Sequence, residues 1–327
     1  MKLFVYDYRD FDEAVYYTQY SKQYGVELGI CREAPTLENA HLAEGYDAIS
    51  IITCKVDAAL VERFHALGVK MISTRTIGYD HIDIEAARRV GMFVSNASYS
   101  PHCVADYALM LMLMCLRKMK RILERAAIND FTLPGIQGRE MPGMTVGVIG
   151  TGRIGRAVLS RLSGFGCKLY AYDPSPSEEA ARYAEYLPLD ELCKRCDVIT
   201  LHLPLLPETH HLIDADALAQ MKDGVVLINT ARGGLIDTAA LIDALESGKI
   251  GAAGLDVIEN EFGLYYYDHK DDTLDNRELS ILRGFPNVIV SPHMAWYTDQ
   301  AIDDMVHHSM QSCFLRLEGG EDPWKIV

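Results

Sequence analysis

Val146-Gly147-Val148-Ile149-Gly150-Thr151-Gly152-Arg153-Ile154-Gly155 is the stretch whose reading decides the fold. An apolar run of strand type feeds a G-x-G-x-x-G turn. The turn opens into Arg156-Ala157-Val158-Leu159-Ser160-Arg161-Leu162, which has helical spacing. Gly150 permits the tight turn, Gly152 lets backbone approach a pyrophosphate, and Gly155 lets helix pack close to strand. The helix start offers unpaired N–H groups and partial positive charge to phosphates. Glycine-rich turns are common, so the context matters. A second strand, Lys168-Leu169-Tyr170-Ala171-Tyr172, ends in Asp173, 18 residues past Gly155. That is close to where a ribose-binding carboxylate is expected.

The motif lies in mid-chain, and 327 residues suffice for two domains with cores of their own. The composition, 49% hydrophobic and 24% charged, is that of a globular protein. A formal net charge of −15 disfavours nucleic acid and anionic membrane surfaces. It says little about a small anionic substrate, which feels the local field of its pocket. Met1-Lys2 runs into strand-like Leu3-Phe4-Val5-Tyr6, so no signal peptide is expected. The longest apolar run, Ala108–Leu116, is too short to span a bilayer and reads as a buried helix. The eight scattered cysteines are expected to be reduced thiols in a cytoplasmic protein. Cys193-Lys194-Arg195-Cys196 has no second pair for zinc. It ends a helix rather than starting one, which argues against a redox motif. No metal is expected.

The N-terminal part alternates strand and helix. Strands are expected at Leu3–Asp7, Val26–Cys31, Ala48–Thr53, Lys70–Thr74 and Met92–Asn96, with helices at Asp10–Tyr24, Val56–Leu67 and Ile84–Val90. Short apolar runs between amphipathic helices argue a parallel sheet covered on both faces. From Pro101 the pattern is helical to about Ala127. Asn129–Met144 reads as a connector. The second half then holds six expected strands, the last four at Val198–Leu203, Val225–Asn229, Ala252–Val257 and Val288–Val290. Helices are expected at Leu189–Cys196, Ala215–Met221, Thr238–Glu246 and Asp299–Glu318, and a short one after the Pro174–Ser177 turn. Tyr265–Asp275 reads as an acidic exposed loop. The fold class is α/β, two doubly wound parallel-sheet lobes.

Three polar residues follow apolar strands of the second half: Arg232, Glu261 (five residues past Asp256) and His293. In a parallel sheet all three project at the edge where a nucleotide lies. A guanidinium grips a carboxylate bidentately. A histidine passes a proton to a carbonyl oxygen at neutral pH. A carboxylate beside it fixes the tautomer and favours the imidazolium. With a nicotinamide, these parts suffice to reduce a 2-oxo acid.

Over almost the whole chain the sequence resembles the D-isomer-specific 2-hydroxyacid dehydrogenases. The stretches that carry this are Gly150–Gly155, Asn229-Thr230-Ala231-Arg232-Gly233, Asp256 to Glu261, and Ser291-Pro292-His293. Within the family it resembles the D-lactate dehydrogenases, including those of vancomycin resistance. Ile72–Gly78, Tyr99-Ser100-Pro101, Val104–Tyr107 and Arg161–Lys168 are the matching stretches. The resemblance implies an oxidoreductase. It implies a Rossmann NAD-binding domain (100–298) inserted into a flavodoxin-like substrate-binding domain (1–99 plus 299–327), with the active site between the lobes.

The same resemblance implies roles. Arg232 binds the substrate's carboxylate and carbonyl, and His293 donates the proton with Glu261 behind it. Backbone groups of Ile77 and Gly78 hold the carboxylate, while Tyr99 and Trp296 line the pocket. Gly150, Gly152, Arg153, Ile154, Gly155, Asp173, Leu203, Pro204, Thr230, Ala231 and Asp256 meet the cofactor, with His202 near them. The helix after Pro101 helps build a homodimer.

Asp173 accepts from a ribose 2′-OH but repels a 2′-phosphate, so NADH is the expected cofactor. Vancomycin-resistance members tend to lack that acid. Trp296 stands where relatives often carry Phe or Tyr, and no bulky aromatic stands near Ile52-Thr53-Cys54. The expected reaction is NADH-dependent reduction of pyruvate to D-lactate, with larger branched or aromatic 2-oxo acids as an alternative. An NAD(H)-sensing corepressor-like binding protein is a third reading, since such proteins retain the same residues.

Overall fold

A computed structural model describes all residues, Met1–Val327. The chain divides into two compact units, Met1–Ser100 with Tyr297–Val327, and Pro101–Trp296.

In the first unit, strands β1 (Lys2–Val5), β2 (Glu27–Ile30), β3 (Ala48–Ile51), β4 (Met71–Thr74) and β5 (Phe93–Ser95) form one parallel sheet, ordered β2-β1-β3-β4-β5. Helices α1 (Ala14–Tyr24), α2 (Ala58–Ala66) and α3 (Ile84–Val90) connect the strands. Period-2 side-chain alternation sorts β1 between two cores. Leu3 and Val5 pack with Tyr17 of α1 and with Val306, Met310 and Cys313 of the C-terminal helix Asp299–Leu317. Phe4 and Tyr6 pack with Leu60, Val61 and Phe64 of α2 on the other face. Both faces are therefore covered, as a parallel sheet requires. Asp57 and Asp83 cap α2 and α3, each carboxylate accepting from the backbone N–H three residues on.

Arg75, immediately after β4, is fully buried. Its Nε donates to Glu13 Oε1 at 3.0 Å, Nη1 to Ser50 Oγ at 3.1 Å, and Nη2 to the carbonyls of Tyr6 and Asp7 at 3.1 and 3.2 Å. Glu13 is equally buried and also meets Arg9 Nη2 at 3.1 Å. This cluster ties the ends of three strands to the start of α1.

The second unit begins with α4 (His102–Leu116) and α5 (Met119–Ala127), separated where Lys118 adopts φ +53°. Its sheet is built from β6 (Thr145–Ile149), β7 (Lys168–Tyr172), β8 (Glu185–Tyr186), β9 (Val198–Leu201), β10 (Val225–Asn229), β11 (Ile250–Leu255) and β12 (Val288–Val290). The order is β12-β11-β10-β9-β6-β7-β8, and every pairing is parallel. The sheet has seven strands rather than the expected six. The additional one, β8, is two residues long and half polar, too short to carry a periodic pattern. Order reverses between β6 and β9, the switch point where such sheets bind nucleotides.

Helices α6 (Arg153–Leu162), α7 (Leu189–Arg195), α8 (Ala215–Gln220), α9 (Thr238–Glu246) and α10 (Arg277–Gly284) complete the unit. Ile149, Ile199, Leu201, Leu227 and Leu255 face one core with α8 and α9. Val146, Val148, Val198, Val226 and Ile228 face the other with Leu111 and Met112 of α4. One expected helix needs correction: the segment after Pro174–Ser177 forms only a 3-10 turn at Ala180–Arg182. Helix α10 lies past the Tyr265–Asp275 loop, in a stretch for which the sequence suggested no element. All eight cysteines are free. Cys193 and Cys196 are buried, and burial pushes their thiols up to about 11 and 12. Neither forms a thiolate at neutral pH, so the pair is core packing. No helix is long and apolar enough to cross a membrane.

Removing one partner of a buried ion pair strands the other charge. Glu13→Ala should therefore lower the unfolding free energy by about 3–5 kcal/mol. Urea titration reads this as a lower midpoint. A loss below about 1 kcal/mol, the range of an exposed pair, would contradict the role given to Arg75.

Candidate active site

The G-x-G-x-x-G turn is shaped by close approach. Gly150 has φ +95°, and a Cβ there would lie 2.6 Å from the His202 carbonyl and 2.9 Å from Leu203 N. The turn is thus pressed on the segment that leaves β9. A Cβ on Gly155 would fall 1.9 Å from the Gly150 carbonyl oxygen, which fixes α6 against the turn. Gly152 has nothing within 4 Å on that side. Arg153 is exposed and Ile154 half-buried beside it.

Asp173 closes this corner. Its Oδ2 accepts from Thr151 N at 2.6 Å and Thr151 Oγ1 at 3.1 Å, and its Oδ1 accepts from Ser175 N at 2.8 Å. Thr151 Oγ1 in turn accepts from Tyr186 OH at 2.7 Å. The carboxylate is oriented by a network that sequence reading did not reveal, because Tyr186 lies on β8. Arg156 was missed too. Its Nη1 donates to Thr151 O at 3.0 Å, and its Nε meets Glu179 Oε2 at 2.8 Å.

Leu203 is buried and Pro204 exposed just past β9. Thr230 and Ala231 follow β10. Thr230 Oγ1 is buried without a hydrogen-bond partner. Burial pushes the His202 imidazole down to about 3, and its Nε2 lies 2.9 Å from Thr200 Oγ1. An open helix start, a fixed carboxylate at the end of the second strand and an orphaned hydroxyl past β10 together fit a dinucleotide.

The second cluster sits at the ends of β10, β11 and β12. Asn229 shapes the turn after β10: its Nδ2 donates to Arg232 O at 2.8 Å, and its Oδ1 accepts from Ala231 N at 3.0 Å. Arg232 Nη1 donates to Ala231 O at 2.8 Å. Gly233 packs directly on the segment after β11, where a Cβ would fall 2.0 Å from the Ile258 carbonyl carbon.

Asp256 is fully buried at the end of β11. Its Oδ1 accepts from Ser291 Oγ at 2.6 Å and Met294 N at 2.9 Å, and its Oδ2 from Ala295 N at 2.8 Å. Burial raises its carboxyl above the ordinary range, against the pull of these donors. Its carbonyl accepts from His293 N at 2.8 Å. His293 itself adopts φ +53°, a left-handed conformation costly for a non-glycine residue. The Asp256 contacts hold it there. His293 Nδ1 then lies 2.7 Å from Glu261 Oε1, with both side chains mostly buried. Glu261 Oε2 accepts from Ile258 N at 3.2 Å. Nδ1 facing a carboxylate leaves Nε2 as the nitrogen that handles a proton.

Tyr266 lies on the exposed loop, as read, and is half-exposed. Its OH donates to the His293 carbonyl at 2.6 Å and accepts from Trp296 Nε1 at 3.1 Å. The two rings meet edge-on, their centroids 6.4 Å apart. Neighbouring Tyr265 is half-buried, its hydroxyl pushed up by burial and by Glu261. No periodicity marks this segment, so the contacts Tyr266 makes to His293 and Trp296 were not legible.

In the first unit, Ile77 and Gly78 follow β4 by way of Arg75 and Thr76. Their carbonyls accept from Asn96 Nδ2 at 2.7 Å and Thr76 Oγ1 at 2.6 Å, so the loop is fixed from behind. Tyr99 is half-buried past β5.

Residues 109–295 match the D-isomer specific 2-hydroxyacid dehydrogenase NAD-binding domain. A D-specific alpha-keto acid dehydrogenase of Enterococcus faecalis is 45% identical over 303 residues, covering 92% of this chain and 93% of the relative. An aromatic 2-oxoacid reductase of Clostridium sporogenes is 41% identical over 317 residues, covering 95% of each. The crystal structure of a D-lactate dehydrogenase from Treponema pallidum superposes with a TM-score of 0.89 at 34% identity, covering 100% of both chains. The chain belongs to the D-isomer-specific 2-hydroxyacid dehydrogenases. It is an NAD-dependent oxidoreductase of that family, with a Rossmann domain and a flavodoxin-like domain.

Asp173→Ser should raise kcat/KM with NADPH relative to NADH by about tenfold or more, equivalent to roughly 1.4 kcal/mol. Adding Glu179→Gln frees Arg156 and should raise it further. An unchanged cofactor ratio in both variants would show that this corner does not discriminate. Gly233→Ala should displace the Arg232 turn or the Ile258 backbone, lowering kcat/KM on a 2-oxo acid by about 10²-fold. Unchanged kcat/KM would contradict the close packing described.

Proposed function

We propose that this enzyme reduces a 2-oxo acid to the D-2-hydroxy acid with NADH, pyruvate to D-lactate being the first reading. The observation that carries it is the His293–Glu261 pair beside the Arg232 turn. Arg232 offers a planar guanidinium to the substrate carboxylate. His293, its Nδ1 engaged by Glu261, delivers a proton from Nε2 to the carbonyl oxygen that becomes the hydroxyl. Glu261, anchored by the Ile258 amide, engages Nδ1 and keeps the ring correctly turned. Bound NADH supplies the hydride. In the first unit, the Ile77–Gly78 loop, held by its carbonyls, suits a carboxylate through its backbone N–H groups, and Tyr99 follows shortly after Asn96, which donates to the Ile77 carbonyl.

A second reading, a larger branched or aromatic 2-oxo acid, is favoured by the name of the Clostridium relative. Ile52-Thr53-Cys54, without a bulky aromatic, supports it, as does Trp296 held by Tyr266.

His293→Ala should lower kcat by about 10²–10⁴-fold while NADH binding persists. Near-normal turnover would remove the proton-donor assignment. Absorbance at ~340 nm, where reduced nicotinamide absorbs, over pyruvate, 2-oxobutyrate, 2-oxoisocaproate and phenylpyruvate separates the two substrate readings. Pyruvate with the highest kcat/KM supports the lactate reading. A branched or aromatic acid ahead by about tenfold supports the second.

We also infer a homodimer in the cytoplasm. Leu109, Met110, Leu113, Met114 and Met119 line an apolar groove on α4 and α5, rimmed by Asp106 and Arg117. Light scattering of wild type should give twice the chain mass, and Met110→Glu should shift it toward the monomer. A monomeric wild type would contradict this surface assignment.

A further inference from the structure

Away from the residues above, the loop after β9 and the segment after β11 bring together His210, His211 and Glu259. One ligating atom from each lies within 4.8 Å of the others. His211 Nε2 is 2.7 Å from Glu259 Oε1. The His210 ring stacks on that of His211, with centroids 3.9 Å apart and planes 27° apart.

The surroundings hold these groups in place. Glu259 Oε2 accepts from Thr238 N at 3.0 Å and Thr238 Oγ1 at 2.6 Å, at the start of α9. That leaves Oε1 directed at His211. His211 adopts a left-handed backbone, φ +51°, and its N–H donates to Gly234 O at 2.8 Å. Behind its ring, Asp237 Oδ2 lies 3.9 Å from Nδ1. That separation is too long for a hydrogen bond, but it places a negative charge behind the ring, on the side where metal-ligating imidazoles take their outer-shell partner. His210 is exposed, so the cluster is open to solvent.

We propose that His210, His211 and Glu259 form a binding site for a divalent transition-metal ion of the zinc type. Two imidazoles and one carboxylate are a donor set that Zn²⁺ takes with water as fourth ligand. The set is too rich in nitrogen for Mg²⁺ or Ca²⁺, which take oxygen ligands. The ion takes the place of the proton shared by His211 Nε2 and Glu259 Oε1. Rotation of the exposed His210 draws its nitrogen to the roughly 2.1 Å of a zinc–nitrogen bond. The ion then ties the loop after β9 to the segment that carries Glu261.

The test is a titration of the full-length protein with Zn²⁺ against a chromogenic chelator, and with Co²⁺ as spectroscopic probe. Cobalt matters because the chain also carries eight thiols. The expected result is one equivalent of bound metal, with visible Co²⁺ bands and no thiolate charge-transfer band. His210→Ala and Glu259→Gln should each weaken binding at least tenfold. His210→Ala removes an exposed side chain, and its NADH affinity and circular dichroism, compared with wild type, report an intact fold. Absence of binding in wild type, a thiolate band, or equal affinity in either variant overturns the site.

Discussion

The buried carboxylate of Asp256 is the constraint on which the ends of strands β11 and β12 depend. A carboxylate removed from water is costly unless its oxygens are hydrogen-bonded. Here Ser291 Oγ and the amides of Met294 and Ala295 satisfy it. Those donors all belong to the turn after β12. The same exchange that solvates Asp256 therefore bends this turn and places His293 in a left-handed conformation against Glu261. Backbone strain of this kind persists only where surrounding bonds over-determine it. Tyr266 adds a second restraint by donating to the His293 carbonyl.

A parallel sheet makes this economical. Asn229, Asp256 and Ser291 end or follow adjacent strands β10, β11 and β12, so the polar groups that shape one turn reach the next. The turn after β10 is pressed by Gly233 onto the segment leading to Glu261. On the other side of the switch point the same logic places Asp173. Its two oxygens are engaged by Thr151 and Ser175, and Tyr186 braces Thr151 from β8. In both corners a carboxylate orders the backbone of the turn beside it.

Much of this was legible in the sequence because it is local and periodic. The five strands of the first sheet, α3, β10 and α9 follow directly from apolar runs and spacing, and the G-x-G-x-x-G turn is as read. Elements without such a pattern were not legible. Strand β8 contributes only Glu185 and Tyr186, and α10 is mostly polar on its surface. The break at Lys118 needs a left-handed residue that nothing in the apolar pattern announces. Contacts between distant positions were equally hidden. Tyr266 reaches His293 and Trp296 from a loop, and Arg156 reaches Glu179 across a turn. His211 meets Glu259 48 positions along the chain.

The most direct measurement of the central claim is the configuration of the hydroxy acid formed from NADH and a 2-oxo acid, resolved by chiral chromatography. Family membership and the fixed placing of His293 predict a single product, the D-2-hydroxy acid. Formation of the L-acid, or of a mixture of both, would contradict the account of the site.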